Sequence, residues 1–141
     1  MAIMSRIRFH HLLFLGIVST ASAAGAPLTF EGRYEFRTDD ESLDILGNQV
    51  CFFPTERTSA TVPRPAGDKR LPWFCFANSK SAAHMFGFKL AKHAKGCGVF
   101  GNALVSVSNY KRYAGEGDGN DIATLMTVSS TSPPKPLPCE K

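Results

Sequence analysis

The chain contains four cysteines, Cys51, Cys75, Cys97 and Cys139, and the chemistry open to them depends on their neighbours. His93 lies four residues before Cys97, a spacing that suits a base beside a thiol nucleophile or two ligands of a zinc ion. A zinc site needs further ligands, and none stands at a suitable spacing. We therefore expect no metal site and no cofactor. An even number of cysteines predicts two disulfides instead, and because a sulfur paired in a disulfide cannot attack, we expect no cysteine nucleophile.

The cysteine spacing alone leaves all three possible disulfide connectivities open. Cys51 and Cys75 lie in two apolar segments that look like the arms of one long hairpin. This placement favours the pairs Cys51–Cys75 and Cys97–Cys139, the second of which would tie the proline-rich end of the chain to its body. Each bridge would contribute roughly 3 to 4 kcal/mol by restricting the unfolded chain.

A glycine-rich segment late in the chain carries oxygen-bearing side chains of the kind that bind calcium. They are Glu116, Asp118, Asn120 and Asp121. The EF-hand pattern does not fit, because Asp121 stands where that loop needs glycine and Thr127 where it needs glutamate. A hairpin turn is the favoured interpretation. The same carboxylates could pair with Glu31 or Glu35 as in a glycosidase, but nothing in the sequence fixes the separation that such a pair requires. We predict a protein that is not an enzyme.

Aromatic and basic side chains surround a long proline-rich segment, Thr55–Pro72. The aromatic residues at its two ends are Phe52, Phe53, Trp73, Phe74 and Phe76. Neighbouring residues of a strand point to opposite faces, so one ring of each adjacent pair should face outward or be covered by this segment. Outward rings beside cations suit a surface that binds a partner. The predicted binding residues are Arg57, Arg64, Lys69, Arg70 and Trp73, with Lys89 and Lys92 as a secondary contact.

Alternating apolar and polar residues predict the strands that would position these groups. The clearest alternation is in Leu28–Arg37, where Phe30, Tyr34 and Phe36 share one face and Gly32 marks a bulge or bend. Strands are predicted at Leu28–Arg37, Gln49–Phe53, Leu71–Ala77, Gly87–Lys92, Asn102–Tyr110 and Ile122–Ser129. Asn78 and Ser79 offer a helix N-cap, which predicts one short helix ending near Phe86.

The order of three strands, a short helix and a closing pair of strands resembles the oligonucleotide/oligosaccharide-binding (OB) barrel. Phe30-Glu31-Gly32 would open its first strand, and Gly101–Tyr110 with Ile122–Leu125 would form its closing hairpin. The resemblance covers Leu28–Ser129 and implies a scaffold for binding. The predicted fold is mostly β (α+β): a small five- to six-stranded antiparallel barrel-like sheet, OB-like, with one short helix and two disulfides.

The first 23 residues have the features of a secretory signal peptide. Arg6 and Arg8 precede an apolar run too short to span a bilayer, and Ala21-Ser22-Ala23 supplies a small-residue cleavage site. We expect cleavage after Ala23, a periplasmic or secreted product, and no transmembrane segment in the mature chain. The remaining 118 residues fit one disulfide-stapled domain, residues 24–130, and a proline-rich tail, residues 131–141.

Charge and composition narrow the predicted function further. Without Arg6 and Arg8 the chain carries a net charge of about +2, too low for a typical nucleic-acid-binding protein. The sequence predicts a non-catalytic binding protein whose partner is a protein of the cell envelope, in the manner of an inhibitor or immunity-type protein. The alternatives are an OB-like module that binds a polyanion or glycan and a small secreted hydrolase.

Overall fold

The computed structural model describes residues 25–62, 64–91, 96–117 and 119–139, so the predicted signal peptide and Lys92 lie outside the described residues. This part of the chain is rich in strands, which confirms the predicted mostly β class. In chain order the elements are β1 (Leu28–Arg37), α1 (Asp40–Leu46), β2 (Cys51–Pro54), α2 (Glu56–Ser59), β3 (Phe74–Phe76), α3 (Ser79–Phe86), β4 (Gly98–Lys111), β5 (Asp121–Thr131) and β6 (Lys135–Pro136).

The six strands form one sheet, and five of them close into a ring in the order β1-β2-β3-β5-β4-β1. Every junction of the ring is antiparallel except the one between β3 and β5, which is parallel. The expectation of a purely antiparallel sheet is therefore wrong at this junction. A closed ring with an odd number of strands cannot alternate direction throughout, so at least one neighbouring pair must be parallel.

Gly32 lies in the part of β1 that pairs with both β2 and β4. It stands opposite Pro54 of β2 on one side and Ala103 of β4 on the other. A Cβ atom at this position would lie 2.3 Å from the carbonyl oxygen of Phe53, far inside normal contact distance. The β1–β4 register runs through Gly32 without the predicted bulge, and the glycine instead stands where the backbones of β1 and β2 approach too closely for any side chain.

Aromatic side chains fill the inside of the ring. The predicted inward face of β1 is confirmed, because Phe30, Tyr34 and Phe36 are buried there. Tyr34 stacks on Phe86 of α3 with ring centroids 4.2 Å apart, which fixes the helix against the core. Each fully buried phenylalanine contributes about 1.5 to 3 kcal/mol relative to an exposed one, so these rings dominate the stability of the fold.

Two short helices were not expected from the sequence. The side chain of Asp39 accepts a hydrogen bond from the Ser42 backbone N–H at the start of α1, and the side chain of Thr55 accepts one from Thr58 at the start of α2. Both helices have no buried residue, so neither produces the apolar periodicity by which a helix is recognised. The prediction of one helix is wrong for this reason.

The predicted strand Gly87–Lys92 is also wrong, because residues 87–91 form no strand. Gly87 ends α3 in the left-handed conformation with φ +85°, and the chain then packs Phe88 and Leu90 against the core. Phe88 and Leu90 are therefore partly buried in alternating positions without any strand pairing. None of the helices in the described ranges is long and apolar enough to cross a membrane.

The predicted disulfide connectivity is confirmed. Cys51–Cys75 joins β2 to β3, where the two residues are directly opposite each other, and Cys97–Cys139 ties the end of the chain to the start of β4. The proline-rich tail is held there as well, because Lys135 and Pro136 form β6 against β4. The part of the tail described by the structure is therefore fixed to the sheet.

Candidate functional site

A cleft of about 570 Å³ opens where the β2–β3 connection passes the β4–β5 connection. Its lining combines apolar and charged side chains. The apolar part consists of Phe53, Pro54, Leu71, Pro72 and Trp73, and the polar part of Glu56, Ser59, Arg64, Arg70 and Asp121. Three of the predicted binding residues, Arg64, Arg70 and Trp73, therefore lie together in one site.

Strand alternation places two aromatic rings in the cleft. Phe52 and Phe74 are opposite each other in the β2–β3 ladder and are fully buried, so Phe53 and Trp73 point to the other face. These two rings stack on each other, with centroids 5.5 Å apart and planes within 9° of parallel. Phe53 is 37 % exposed and Trp73 is partly exposed, which confirms the expected outward member of each pair.

Leu71 is a strongly exposed apolar residue of the rim. The residue is 85 % exposed, whereas Trp73, two positions on, is partly buried and stacks on Phe53. Pro72 follows directly and fixes φ of the backbone at this point. A large apolar side chain is therefore presented to solvent beside an apolar cleft, in a segment with little conformational freedom.

Asp68 anchors the basic side chains beside the cleft. Its Oδ2 accepts hydrogen bonds from Arg64 at 3.2 Å, Arg70 at 2.9 Å and Arg112 at 3.0 Å. Its Oδ1 accepts from the Nε and the backbone N–H of Arg70. The hydrogen bonds from Arg70, followed by that from Arg112, lower the pKa of Asp68 far below its ordinary value. Asp68 is thus ionised throughout the physiological range.

Asp121 links this cluster to the core. Its carboxylate is 4 % exposed and accepts hydrogen bonds from Arg64 at 2.9 Å, the Tyr110 hydroxyl at 2.6 Å and the Tyr113 backbone N–H at 2.8 Å. Burial, and then the hydrogen bond to Asp121, raise the pKa of Tyr110. The Asp121 backbone N–H donates to the carbonyl oxygen of Trp73. The charged cluster and the aromatic pair are therefore parts of one connected structure.

Sequence reasoning did not identify Asp68, Tyr110 or Arg112 as members of this site. Asp68 lies between predicted binding residues, but nothing in the sequence shows that it neutralises them. Tyr110 lies near the end of β4 and Arg112 directly follows that strand. Arg112 is 44 residues from Asp68 along the chain, and only the ring topology brings these side chains together at the site.

The β2–β3 connection itself is ordered by contacts with β1. The Thr58 hydroxyl donates to the carbonyl oxygen of Glu31 at 2.9 Å, and the Thr55 backbone N–H donates to the same oxygen at 2.8 Å. Val62 is buried in the core. The long proline-rich segment is consequently a fixed wall of the cleft along its described residues.

The other predicted binding residues lie away from the cleft or outside the described residues. Arg57 forms an exposed ion pair with Glu31 beside a separate groove. Lys69 and Lys89 are exposed and do not line the cleft, and Lys92 lies outside the described residues. The site that the structure assembles is therefore smaller and less basic than the predicted one.

The residues considered for catalysis and metal binding have other contacts here. Glu31 pairs with Arg57, and Asp121 of the glycine-rich turn is directed to Arg64 and the two tyrosines. Asp118 and His93 lie outside the described residues. In the part of the chain that the structure describes, no group of three or more His, Cys, Asp or Glu side chains could hold a metal ion.

Comparisons with protein-family models, with curated proteins and with solved structures each found no match. The assignment of a function therefore depends on the geometry and chemistry of the cleft.

Proposed function

We propose that this protein is an exported, non-catalytic binding protein that holds a protein of the cell envelope in the cleft, in the manner of an inhibitor or immunity-type protein. One observation carries the proposal: the cleft presents an open aromatic and aliphatic wall, while the arginines next to it are paired with carboxylates. Apolar anchors with buried or paired charges around them are typical of protein interfaces.

The pairing of the arginines favours a protein partner over a polyanion. Arg64 is only 13 % exposed and has both Asp68 and Asp121 as partners, and Arg57 pairs with Glu31. A nucleic acid or sulfated glycan gains most of its affinity from cations that are free to replace counterions. Arg57 and Arg64, whose guanidinium groups already pair with internal carboxylates, therefore contribute little to such binding.

The rigidity of the cleft supports a high affinity for a protein ligand. The Cys51–Cys75 bridge, the Phe53–Trp73 stack and the two buried aspartate contacts fix its walls before a partner arrives. Association then costs less conformational entropy, because few side chains remain to be ordered. Tryptophan in a preformed apolar site is among the residues that contribute most to binding energy.

The scaffold we propose is an OB-type barrel. Five strands close into a ring, and α3 connects β3 to β4, as expected from the element order of the sequence. Such barrels commonly hold their ligands with the connection between the fourth and fifth strands, and Gly119 of that connection lines the cleft together with Asp121 at the start of β5. Two disulfides among the described residues support a product that matures in an oxidising compartment.

The test is affinity capture from an envelope extract with the mature chain, beginning at Ala24, as bait. The Trp73→Ala bait should lose the captured protein, because it removes one ring of the aromatic pair. Ile45→Ala is the matched control, since Ile45 is also a large exposed apolar residue, 73 % exposed, but belongs to α1 and does not line the cleft. Capture should also persist at moderate ionic strength.

Two outcomes would contradict the proposal. Equal capture by the Trp73→Ala and wild-type baits would place the partner elsewhere on the surface. A complex that dissociates steeply as salt is raised would favour the polyanion alternative, because that binding depends on counterion release.

A further inference from the structure

Arg70 lines the cleft with part of its hydrogen-bonding capacity unused. Its Nε and Nη2 donate to the two oxygens of Asp68 at 3.0 and 2.9 Å, and Nη2 also donates to the carbonyl oxygen of Tyr113 at 3.2 Å. A guanidinium group carries five N–H donors. Among the described residues, Nη1 of Arg70 has no partner, and the side chain is 37 % exposed.

The net charge of the arginine and aspartate side chains around Arg70 is positive, which favours a negatively charged acceptor at this free donor. Three guanidinium groups, those of Arg64, Arg70 and Arg112, meet the two carboxylates of Asp68 and Asp121. The cluster therefore keeps one net positive charge. Arg64 is nearly enclosed, whereas Arg70 is more exposed and forms part of the cleft lining, so the cluster's accessible donor within the cleft is that of Arg70.

We propose that the cleft binds an acidic peptide segment of its partner, in which an apolar side chain stands next to an aspartate or glutamate. The apolar side chain would contact Phe53, Trp73 and Leu71, and the carboxylate would accept hydrogen bonds from Nη1 of Arg70. This inference rests on the proposed function and names the chemistry of the segment that the partner supplies. Hydrogen bonds between a guanidinium and a carboxylate are stronger than neutral ones and set the orientation of the bound group.

Glu56 allows a test of whether the bound segment is negatively charged. It also lines the cleft, and its carboxylate has no ion-pair partner within the described ranges. A bound carboxylate would be repelled by Glu56 and attracted by Arg70. Removal of the Glu56 charge should therefore strengthen the binding of an acidic segment, and it should weaken the binding of a basic one.

The experiment uses a displayed library of random peptides selected on the immobilised mature protein. Enriched peptides should carry an aspartate or glutamate adjacent to an aromatic or aliphatic residue. One enriched peptide is then synthesised, and its Kd is measured with the wild-type protein and with variants. Replacing its acidic residue with the corresponding amide should weaken binding about tenfold or more, since a hydrogen bond to a charged group is lost.

Arg70→Gln and Arg112→Gln form a matched pair on the protein side. Both remove one positive charge and side-chain hydrogen bonds to Asp68, two from Arg70 and one from Arg112, but only Arg70 lines the cleft. Arg70→Gln should weaken peptide binding about tenfold, whereas Arg112→Gln should change it by less than about threefold. Glu56→Gln should strengthen binding. Thermal unfolding of each variant verifies its fold, and the peptide-side substitution tests the inference even if Arg70→Gln does not fold.

The inference would be overturned by enriched peptides without acidic residues, by no enrichment at all, by equal effects of the two arginine variants, or by weaker binding to Glu56→Gln. These failures would leave the proposed function standing if Trp73→Ala still abolished capture of the envelope protein. If acidic peptides bind but no envelope protein is captured in a Trp73-dependent way, the proposed function is contradicted. The inference that the cleft binds an acidic segment would then still stand.

Discussion

Replacing Asp121 with alanine tests how much the hydrogen bonds and the ion pair of this buried carboxylate stabilise the fold at the cleft. The substitution removes a nearly enclosed carboxylate and with it the acceptor for Arg64, the Tyr110 hydroxyl and the Tyr113 backbone N–H. Breaking a buried ion pair by deleting one partner costs about 3 to 5 kcal/mol. Arg64 keeps its contact to Asp68, so we expect a loss near the lower end, about 3 kcal/mol.

Such a loss is a large part of the stability of a small domain, which is about 5 to 15 kcal/mol. Urea unfolding followed by tryptophan fluorescence is a suitable assay, because Trp73 is the only tryptophan of the chain and its carbonyl accepts from the Asp121 backbone. The midpoint should fall while the slope with urea stays unchanged, as for a variant that alters native stability alone.

Glu31→Ala is the control for this experiment. The ion pair of Glu31 with Arg57 is exposed, so its loss should cost less than about 1 kcal/mol. A loss below about 1 kcal/mol for Asp121→Ala as well would refute the reasoning, because the cluster would then contribute no more than a surface ion pair.

Three further predictions concern single side chains. Hydrogen bonds from Arg70 lower the pKa of Asp68, so the ionised Asp68 stabilises the fold fully above its unfolded pKa of about 4, and this stabilisation is lost as the pH falls below that value. The unfolding free energies of wild type and Asp68→Asn should therefore converge in acid. A difference that stays constant with pH would contradict this prediction. Gly32→Ala should cost about 1 to 3 kcal/mol in urea unfolding because its methyl group meets the Phe53 carbonyl, and a neutral effect would show that β1 and β2 can separate there. Trp73→Ala should lower stability, measured by circular dichroism, by about 1 to 2 kcal/mol, less than for a fully buried ring, and a loss above about 3 kcal/mol would mean that the ring belongs to the core.

Local patterns were sufficient for the features that depend on neighbouring residues. Alternation along Leu28–Arg37 identified its buried face, and the adjacent pair Phe52/Phe53 showed that one ring must point outward. The hairpin-like placement of Cys51 and Cys75 led to the correct disulfide pairs. The first two conclusions require only that a strand has a period of two residues, and the third requires only that two consecutive strands pair with each other.

Features that depend on distant residues could not be read from the sequence. The sequence indicates a turn residue at Asp121, but the ring brings its carboxylate to Arg64. The predicted basic residues Arg64 and Arg70 are therefore both paired with aspartates, and Arg70 keeps a donor that faces the cleft. The parallel junction of β3 and β5 likewise follows from closure of the ring and not from any local pattern.

Site-specific photo-crosslinking tests most directly whether the cleft is where a protein partner binds. A photoreactive amino acid is placed at Leu71 on the cleft rim or at Ile45 on α1, both of them exposed, and the protein is irradiated in the cells that produce it. We predict a discrete crosslinked protein adduct from position 71 that disappears when Trp73 is also replaced by alanine, and none from position 45. Adducts of equal yield from both positions, or an adduct from position 45 alone, would contradict the account.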